Sequence, residues 1–409
     1  MARLAADDEI AATAQRPAPA SRAERIEAID ALRGLALFGV LMVNLVTEFR
    51  VSIFTQFLPE PAAGTAWDKM VMQVVSTGLE TKAFCLFSLL FGVGLAIQFD
   101  RLQSRPDRLV LLLRRMAALL LFGLIHLFLV WNGDILTEYA VVGLMVVPLL
   151  FAPRWALGAA SALFLTFYAA MPLLRLAIPF PGHHWIVQHI AQADAVYGHG
   201  DYRQVVAFNI QEVRSLVPLH VFVLARTLGL FTFGAWMWRV GVFRAASGRV
   251  FAYFGLLGIA SGVLLTLATG PTGLLHGPGL GAVAAIADQV SPILLALGYA
   301  GMILLLGTGS RSKVLVTWAA PLGRTAFTNY LLQSVIFSSI FYGYGLGLFD
   351  RLAPTPTFAL GLGVYAAQVL LSTLWLRRFQ FGPMEWLWRA LMYGRPPELR
   401  RLPTLNPAS

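Results

Sequence analysis

Three polar side chains interrupt the first long apolar run of the chain, which reads RIEAIDALRGLALFGVLMVN. Asp30, Arg33 and Asn44 lie within roughly 60° of one another at 100° per residue, so they would share one face of a helix. Ionisable groups inside a membrane span are costly and are usually functional. Arg33 carries a rigid fork of donors that suits phosphate. A structural alternative stays open, because an i, i+3 ion pair with Asp30 would neutralise both charges where the helix enters the membrane.

A second polar set lies in the segment GLIHLFLVWNGDILTEY, which contains His126, Asp134 and Glu138. A buried histidine near carboxylates can act as a general acid or base, because its pKa is close to neutral and a carboxylate can fix its tautomer. Two structural alternatives remain. Asp134 follows an Asn-Gly turn and could simply cap the next helix, and His126 could be a hydrogen-bonded residue of the core.

Other polar residues fall inside or at the ends of apolar runs, namely Glu80, Lys82, Arg226, Arg324, Asn329 and Gln333. Each could be a structural hydrogen-bonding residue. Their depths differ, since Asn44 lies about 21 Å along the helix axis from Asp30 at 1.5 Å per residue. We therefore expect Arg33 and Arg324 in the inner half of the membrane, and in the outer half Asn44, Lys82, His126, Asp134, Arg226 and Gln333. This pattern predicts a polar cavity that opens outward and has a basic entrance on the inner side.

The elements that carry these residues are predicted to be membrane helices. The chain is 57% hydrophobic and only 13% charged, with a mean hydropathy of +0.69, which leaves too little polar surface for a soluble globule. The fold class is therefore all-α, a polytopic helix bundle in a membrane. The net charge of +10 does not indicate nucleic acid, because the basic residues form no continuous stripe. Cys85 is the single cysteine, which excludes an internal disulfide and a cysteine-cluster metal site.

Apolar stretches of roughly 20 residues, the length that crosses a bilayer, predict about ten helices. They lie near residues 30–48, 82–99, 112–131, 135–152, 155–173, 218–238, 251–268, 285–308, 326–348 and 357–376. An even number of spans puts both termini on one side. Most of the 31 lysines and arginines then fall on the side of the N-terminus, so the positive-inside rule predicts that both termini are cytoplasmic.

Three segments flank or interrupt this predicted transmembrane domain of residues 25–395. Residues 1–24 read as a disordered cytoplasmic tail without a secretory signal, and residues 396–409 as a cytoplasmic C-terminal tail. Residues 175–217 read as an outer insertion of amphipathic helices. Its histidines are favoured as parts of a solvated loop over a metal site, because no two are spaced i, i+4; they are His183, His184, His189 and His199.

The C-terminal segment FGPMEWLWRALMYGRPPELRR is predicted to lie at the membrane interface. Trp386 and Trp388 would sit at headgroup depth, with the arginines facing anionic lipid. We assign this segment no catalytic role.

Several motifs along the chain resemble the YeiB-like bacterial membrane family, domain of unknown function 418, from about Arg25 to Arg395. The matching segments, in order, are IDALRGLALFGVLMVN, FSLLFGVGLAIQ, RRMAALLLFGLIHLFLVWNGDILTEYAVVG, GRTAFTNYLLQS and FGPMEWLWRALMYG. The opening motif, with Asp30, Arg33-Gly34 and Asn44, is also similar to that of lysosomal-type glucosaminide N-acetyltransferases and type 3 membrane acyltransferases. Those enzymes move acyl groups from cytoplasmic acyl-CoA to acceptors on the other side of the membrane.

The sequence departs from both groups of acyltransferases. Type 3 acyltransferases have a histidine where Asn44 stands. The glucosaminide enzymes keep the asparagine and have a histidine in the following outer loop, whereas no histidine lies between Asn44 and His126 here. An acyl-transfer reaction would therefore need His126, on another helix, as its base.

The resemblance implies a membrane acyltransferase that uses acetyl-CoA or another acyl-CoA as donor, without a metal, and acylates an extracytoplasmic hydroxyl or amine. His126, oriented by Asp134 or Glu138, would be the base, and Asn44 would hold the acyl carbonyl or donate to the oxyanion. Arg33 and Arg324 would guide the CoA phosphates. The remaining candidates for substrate binding are Asp30, Lys82, Arg226, Asn329 and Gln333.

A transporter or permease for a small anionic or amphiphilic solute is the alternative, with Arg33, Arg226 and Lys82 as its binding charges. A structural or accessory membrane protein is the third option. The expected location is the plasma (inner) membrane of a bacterium. The expected partners are the lipid bilayer and a small-molecule or glycan acceptor, not nucleic acid, with a homodimer as an open alternative.

Overall fold

The computed structural model describes residues 22–59, 64–174, 180–245, 248–270, 273–276 and 279–401. Among the described residues, the regular secondary structure is helical, apart from one isolated β-bridge between Phe379 and Arg400. The α-helices, in chain order, are α1 Arg22–Asn44, α2 Ala66–Gln73, α3 Lys82–Arg101, α4 Arg108–Leu129, α5 Leu136–Leu149, α6 Arg154–Ala170, α7 His183–His199, α8 Tyr202–Arg239, α9 Val242–Ala245, α10 Gly248–Thr269, α11 Gly281–Thr308, α12 Val314–Thr317, α13 Ala320–Arg324, α14 Ala326–Phe341, α15 Pro354–Arg378 and α16 Pro383–Tyr393. Two π-helical segments, Leu45–Phe49 and Val74–Leu79, extend α1 and α2.

Seven stretches among the described residues are long and apolar enough to cross a membrane, which confirms an all-α, membrane-type architecture. They are Glu27–Phe49, Ala66–Arg101, Arg108–Leu129, Tyr202–Arg239, Gly248–Thr269, Gly281–Thr308 and Pro354–Arg378. The expected count of about ten spans is not confirmed. The reason is length: α5 has 14 residues and would cover only about 21 Å of a hydrocarbon core that is roughly 30 Å thick, and α14 has 16 residues.

The predicted outer insertion is partly one separate helix and partly a continuation of a span. Helix α7 is separate. Helix α8 begins at Tyr202, where Asp201 and Gln204 form a capping box, and runs for 38 residues into the predicted sixth span. Residues 202–217 therefore belong to this long helix, and Val205 and Phe208 pack into the main core. Residues 175–179 lie outside the described part of the chain.

The predicted tails differ from the structure at their inner ends. Helix α1 already begins at Arg22, and residues 1–21 and 402–409 lie outside the described residues. At the C-terminal end, residues 399–401 run back along the end of α15, because the Gln380 N–H donates to the Leu399 carbonyl at 2.8 Å and the Arg401 N–H to the Arg378 carbonyl at 3.1 Å.

Helix α1 lies at the centre of the bundle and packs against α3, α11 and α13. Glycine allows the closest of these contacts. A Cβ on Gly34 would overlap the Ala319 carbonyl, and a Cβ on Gly323 would overlap the Asp30 carbonyl. The close approach of α13 to α1 sets Arg324 beside the Asp30 and Arg33 end of the first span.

Candidate functional site

His126 and Asp134 form a buried pair, here called the dyad, at the end of α4 and the start of α5. The Nδ1–H of His126 donates to Oδ1 of Asp134 at 2.8 Å, and both side chains are at most 1% exposed. The other oxygen, Oδ2, accepts the Thr137 N–H at 2.7 Å. Asp134 therefore binds both the first turn of α5 and the imidazole. The contact with the start of α5 and the contact with His126, which the sequence left as alternatives for Asp134, are both present.

The second nitrogen of the imidazole is available. Among the described residues, Nε2 of His126 is buried and has no hydrogen-bond partner. Since Asp134 holds the proton on Nδ1, Nε2 carries a lone pair and can accept a proton. Buried polar atoms are rarely left unpaired, so an orphaned one at this place calls for a functional explanation.

Aromatic rings and one further carboxylate surround the dyad. The Tyr330 ring lies 5.3 Å from the His126 ring between centroids, and the Trp131 ring lies 6.2 Å from it. Glu48 lies in the π-helical segment after α1, close to the turn that precedes Asp134. Its Oε2 would be only 2.7 Å from a Cβ placed on Gly133, the residue before Asp134. π-Helical turns occur often at functional sites. Sequence reasoning missed Glu48, although it follows Asn44 by four residues on the first helix.

A cavity of about 440 Å³ extends from a group of arginines toward the dyad, and we call it the arginine cavity. Its basic lining residues are Arg33, Arg101, Arg115, Arg324 and Arg389. Two acidic residues, Asp30 and Glu385, line it as well. Because five guanidinium groups face two carboxyl groups, the basic end of this cavity attracts anions.

Both acidic residues are already engaged by the protein. Asp30 accepts from Arg33 at 2.7 Å. Glu385, on α16, caps the start of α14 by accepting from the backbone N–H groups of Phe327 at 2.8 Å and Thr328 at 3.1 Å. Burial raises the pKa of the Glu385 carboxyl, and burial lowers the pKa of the Arg389 guanidinium on the same helix.

The other end of the arginine cavity is apolar and reaches the surroundings of the dyad. Along α3 its wall runs from Arg101 to Phe87, a distance of about 21 Å at 1.5 Å per residue. Leu136 and Tyr330 also line the cavity. Leu136 follows Asp134 by two residues, and Tyr330 lies beside His126. The cavity thus runs from an anion-attracting end to Tyr330, the neighbour of His126, while His126 itself is not among its lining residues.

Three of the arginines were not among the residues predicted to bind substrate. No binding role was predicted for Arg101 or Arg115, and Arg389 was expected to face lipid as part of the interfacial C-terminal segment. In the structure Arg115 lies over the Trp388 ring, 3.8 Å from its centroid, and the Trp388 indole N–H donates to the Arg115 carbonyl at 2.7 Å. Helix α16 therefore closes one side of the cavity, which its amphipathic sequence did not reveal.

Glu138 and Arg226 form a polar centre of their own on α5 and α8. Glu138 accepts from the Thr227 hydroxyl at 2.5 Å. The Arg226 guanidinium lies 5.8 Å from the Tyr168 ring centroid, and its Nε is buried without a partner among the described residues. Of the two carboxylates expected to orient His126, the structure places Asp134 in contact with it.

The remaining predicted binding residues lie apart from the arginine cavity. Asn329 donates to Ser372 at 2.9 Å, and Gln333 donates to Gln368 at 2.7 Å, so both join α14 to α15. Lys82 donates to the Ser76 carbonyl at 3.3 Å. Asn44 is buried, and its Oδ1 has no partner within the described ranges.

The histidines of the outer segment are not all solvated, which corrects the prediction for this loop. His189 on α7 is buried and hydrogen-bonds to Glu212 on α8 at 2.6 Å. Tyr197 donates to the same carboxylate at 2.6 Å, and Asn132, next to the dyad, also donates to it. His199 bonds to Arg351 at 2.8 Å. Within the described residues no group of three or more His, Cys, Asp or Glu could hold a metal ion.

Comparison with known proteins gives the family. Residues 237–395 match the family described as "Protein of unknown function (DUF418)". The chain is 32% identical to "Uncharacterized protein YxaH" of Bacillus subtilis over 398 residues, covering 90% of this chain and 94% of that protein. It is 30% identical to "Uncharacterized protein YeiB" of Escherichia coli over 393 residues, covering 90% of this chain and 96% of that protein.

The chain belongs to the YeiB-like DUF418 family. The resemblance of the sequence motifs to the YeiB-like family is thereby confirmed. The part matched by the DUF418 description contains α11 and α13 to α16, and with them Arg324, Tyr330 and Arg389. The dyad lies upstream of that part, in the region that the two bacterial relatives cover.

Proposed function

We propose that this protein is a membrane acyltransferase that moves an acetyl or similar acyl group from cytoplasmic acyl-CoA to an acceptor hydroxyl or amine across the membrane. One observation carries the proposal: a cavity that begins among five arginines reaches Tyr330, whose ring lies 5.3 Å between centroids from the ring of His126. The buried Nε2 of this histidine has no partner among the described residues. The basic end suits a polyanionic group, and a general base lies next to the apolar end. An acyl-CoA likewise carries its phosphates at one end and its thioester at the other.

The donor would lie along the arginine cavity. Arg33 and Arg324, with Arg115 and Arg389, would bind the CoA phosphates through charge-assisted and bidentate hydrogen bonds. The apolar wall of α3 would cover the extended arm that carries the thioester. That arm has to reach from the arginines to Tyr330, and the cavity wall along α3 is about 21 Å long.

The acceptor would be activated at the dyad. His126 would take a proton on Nε2 while Asp134 stabilises the imidazolium through Nδ1. Asn44 is proposed as a second group that holds the acyl carbonyl; it does not line the arginine cavity, so the acyl group would have to pass the apolar end of the cavity to reach it. The acceptor is proposed to be a small molecule or a glycan.

The proposal includes a topology of about ten membrane-crossing helices with both termini in the cytoplasm of a bacterium, in the inner membrane. In this arrangement α5, α6 and α14 would cross as short helices enclosed by longer ones. The distribution of lysine and arginine supports this orientation, because it places the basic end of the cavity on the cytoplasmic side, where CoA is found.

The test of the proposal is ligand binding followed by turnover. CoA and acetyl-CoA should raise the Tm of the purified protein in detergent, by the mass-action stabilisation that any ligand of the native state gives. Transfer of labelled acetyl from acetyl-CoA should be lost in His126→Ala, while the rise in Tm with CoA is kept. A His126→Ala protein that transfers acetyl at the wild-type rate would contradict the proposal.

A permease for a small anionic or amphiphilic solute is the second candidate function. It is favoured by Glu138, which is partly buried, and Arg226, which is buried, because the acyl transfer assigns no step to either of these ionisable residues of the bundle. A permease should show no gain in Tm with CoA. It should instead lose solute uptake into vesicles when Arg226 is replaced by Gln.

A further inference from the structure

We infer that Tyr330 is a further catalytic residue of this centre, and that its hydroxyl donates a hydrogen bond to the thioester carbonyl oxygen. The inference rests on the proposed acyl transfer and adds the group that stabilises its transition state. Tyr330 lies on α14, outside the first-helix motif that contains Asp30, Arg33 and Asn44.

Tyr330 stands between the donor cavity and the base. Its side chain lines the arginine cavity at the apolar end, although the residue is only 2% exposed. On its other side its ring lies 5.3 Å from the His126 ring between centroids. A thioester that enters along the cavity therefore meets the Tyr330 side chain where it comes closest to His126.

The hydroxyl of Tyr330 has a proton to give. It accepts the Ile135 N–H at 3.3 Å, and its own proton has no acceptor among the described residues. Tyr139, the other tyrosine of the cavity, is different, because its hydroxyl pairs with Ser88 at 2.8 Å and donates to the Phe84 carbonyl at 3.3 Å. Buried tyrosine hydroxyls usually find partners, so the unpaired donor on Tyr330 indicates a ligand oxygen.

The bond from Ile135 prepares this donor. An O–H group that accepts a hydrogen bond becomes a better donor itself, since neighbouring hydrogen bonds polarise one another. Ile135 follows Asp134 directly in the chain. The residue that orients His126 and the backbone N–H that polarises Tyr330 are therefore fixed by the same turn.

In the proposed step the acceptor oxygen or nitrogen attacks the thioester carbon, and its proton passes to Nε2 of His126. The carbonyl oxygen gains negative charge, which the Tyr330 hydroxyl stabilises without giving up its proton. The carbonyl re-forms as the C–S bond breaks. The thiolate then takes the proton from Nε2, so that the products are the acylated acceptor and free CoA thiol.

The first measurement compares Tyr330→Phe with wild type in acetyl transfer from acetyl-CoA. Loss of one oxyanion donor should lower kcat about 100-fold, and the KM for acetyl-CoA should rise by no more than about the tenfold by which binding of a carbonyl ligand weakens. Tyr365→Phe is the matched control, because Tyr365 is also buried and donates one bond, to the Gly34 carbonyl at 2.9 Å, outside the cavity. The control should lose stability but keep its kcat.

The second measurement is binding without turnover, with CoA and with acetonyl-CoA, a ketone analogue that keeps the carbonyl and cannot transfer an acyl group. Wild type should bind acetonyl-CoA more tightly than CoA, and Tyr330→Phe should lose about tenfold of that preference, the equivalent of about 1.4 kcal/mol. If Tyr330→Phe does not fold, the wild-type comparison decides alone, since equal affinities for the two ligands would overturn the inference.

The two proposals fail in different ways. If wild type transfers acetyl and Tyr330→Phe does so at the same rate with the same preference for the ketone, the inference is wrong and the proposed function stands. If wild type neither binds CoA or acetonyl-CoA nor transfers acetyl, the proposed function fails, and the role of Tyr330 is refuted with it.

Discussion

Replacing Asp134 with Asn should leave the protein folded and nearly inactive. Asp134 uses Oδ1 for His126 and Oδ2 for the Thr137 N–H. An asparagine has one oxygen, and the backbone N–H of Thr137 needs it, so the new NH2 group would turn toward Nδ1 of His126. The imidazole would then have to accept at Nδ1, which moves its proton to Nε2. A protonated Nε2 cannot take the proton of an acceptor.

The size of this effect follows from the tautomer. Where an aspartate orients a catalytic histidine, an amide in its place lowers kcat by about 10⁴-fold with the geometry kept. The cost to folding is much smaller, about 1–3 kcal/mol for a charge-assisted hydrogen bond that becomes a neutral one. The variant should therefore bind CoA and acetyl-CoA like wild type, because none of the arginines is touched.

The assay is transfer of labelled acetyl from acetyl-CoA under saturating donor, with the CoA-dependent gain in Tm measured on the same preparations. Glu138→Gln is the matched control, since Glu138 is a partly buried carboxylate four residues away that bonds to Thr227. It should keep most of the activity. Equal losses in the two variants, or an Asp134→Asn protein with wild-type kcat, would refute the assignment of Asp134.

Three further outcomes follow from contacts elsewhere in the bundle. Arg115→Gln should weaken CoA binding about tenfold and make the remaining affinity less sensitive to salt, as titration at two ionic strengths would reveal. Gly323→Ala should cost about 1–3 kcal/mol in unfolding free energy, because its Cβ would overlap the Asp30 carbonyl, whereas Gly363→Ala, with no atom within 4 Å of its Cβ, should not destabilise. Burial raises the pKa of Glu385 above its usual 4.5, so its contribution to stability is present below pH 4.5 and is lost as the pH rises through the folded pKa; Glu385→Gln should flatten the Tm over that window.

The dyad could be predicted because its two members are close in sequence. His126 and Asp134 lie on either side of a short turn, so the end of one helix and the start of the next bring them together whatever the rest of the bundle does. Arg33 could be predicted for a similar reason, since Asp30 and Arg33 share a face of one helix and pair at 2.7 Å as that spacing requires.

The arginine cavity could not be predicted in full, because it depends on which helices meet. Arg101 is on α3, Arg115 on α4 and Arg389 on α16, and helical periodicity gives the face of each helix but not its neighbour. The same limit applies to Asn329 and Gln333. Their depth suggested a binding site, whereas the packing of α14 on α15 engages them in hydrogen bonds to Ser372 and Gln368.

The count of about ten spans is not confirmed, for a reason of length. Hydropathy marks apolar stretches, and α5 is mostly apolar, but its 14 residues are fewer than the roughly 20 that cross a bilayer. Conversely, α8 has 38 residues, more than one crossing of the bilayer needs. Apolar composition was thus a good guide to the helical class and a poor guide to the ends of individual helices.

The most direct test of the central claim is a structure of the protein with acetonyl-CoA bound. We expect density along the arginine cavity, with phosphate groups at Arg33, Arg115 and Arg324 and the ketone oxygen within hydrogen-bonding distance of the Tyr330 hydroxyl, next to Nε2 of His126. Density for the ligand at any other surface, or a ketone that points away from His126, would contradict it.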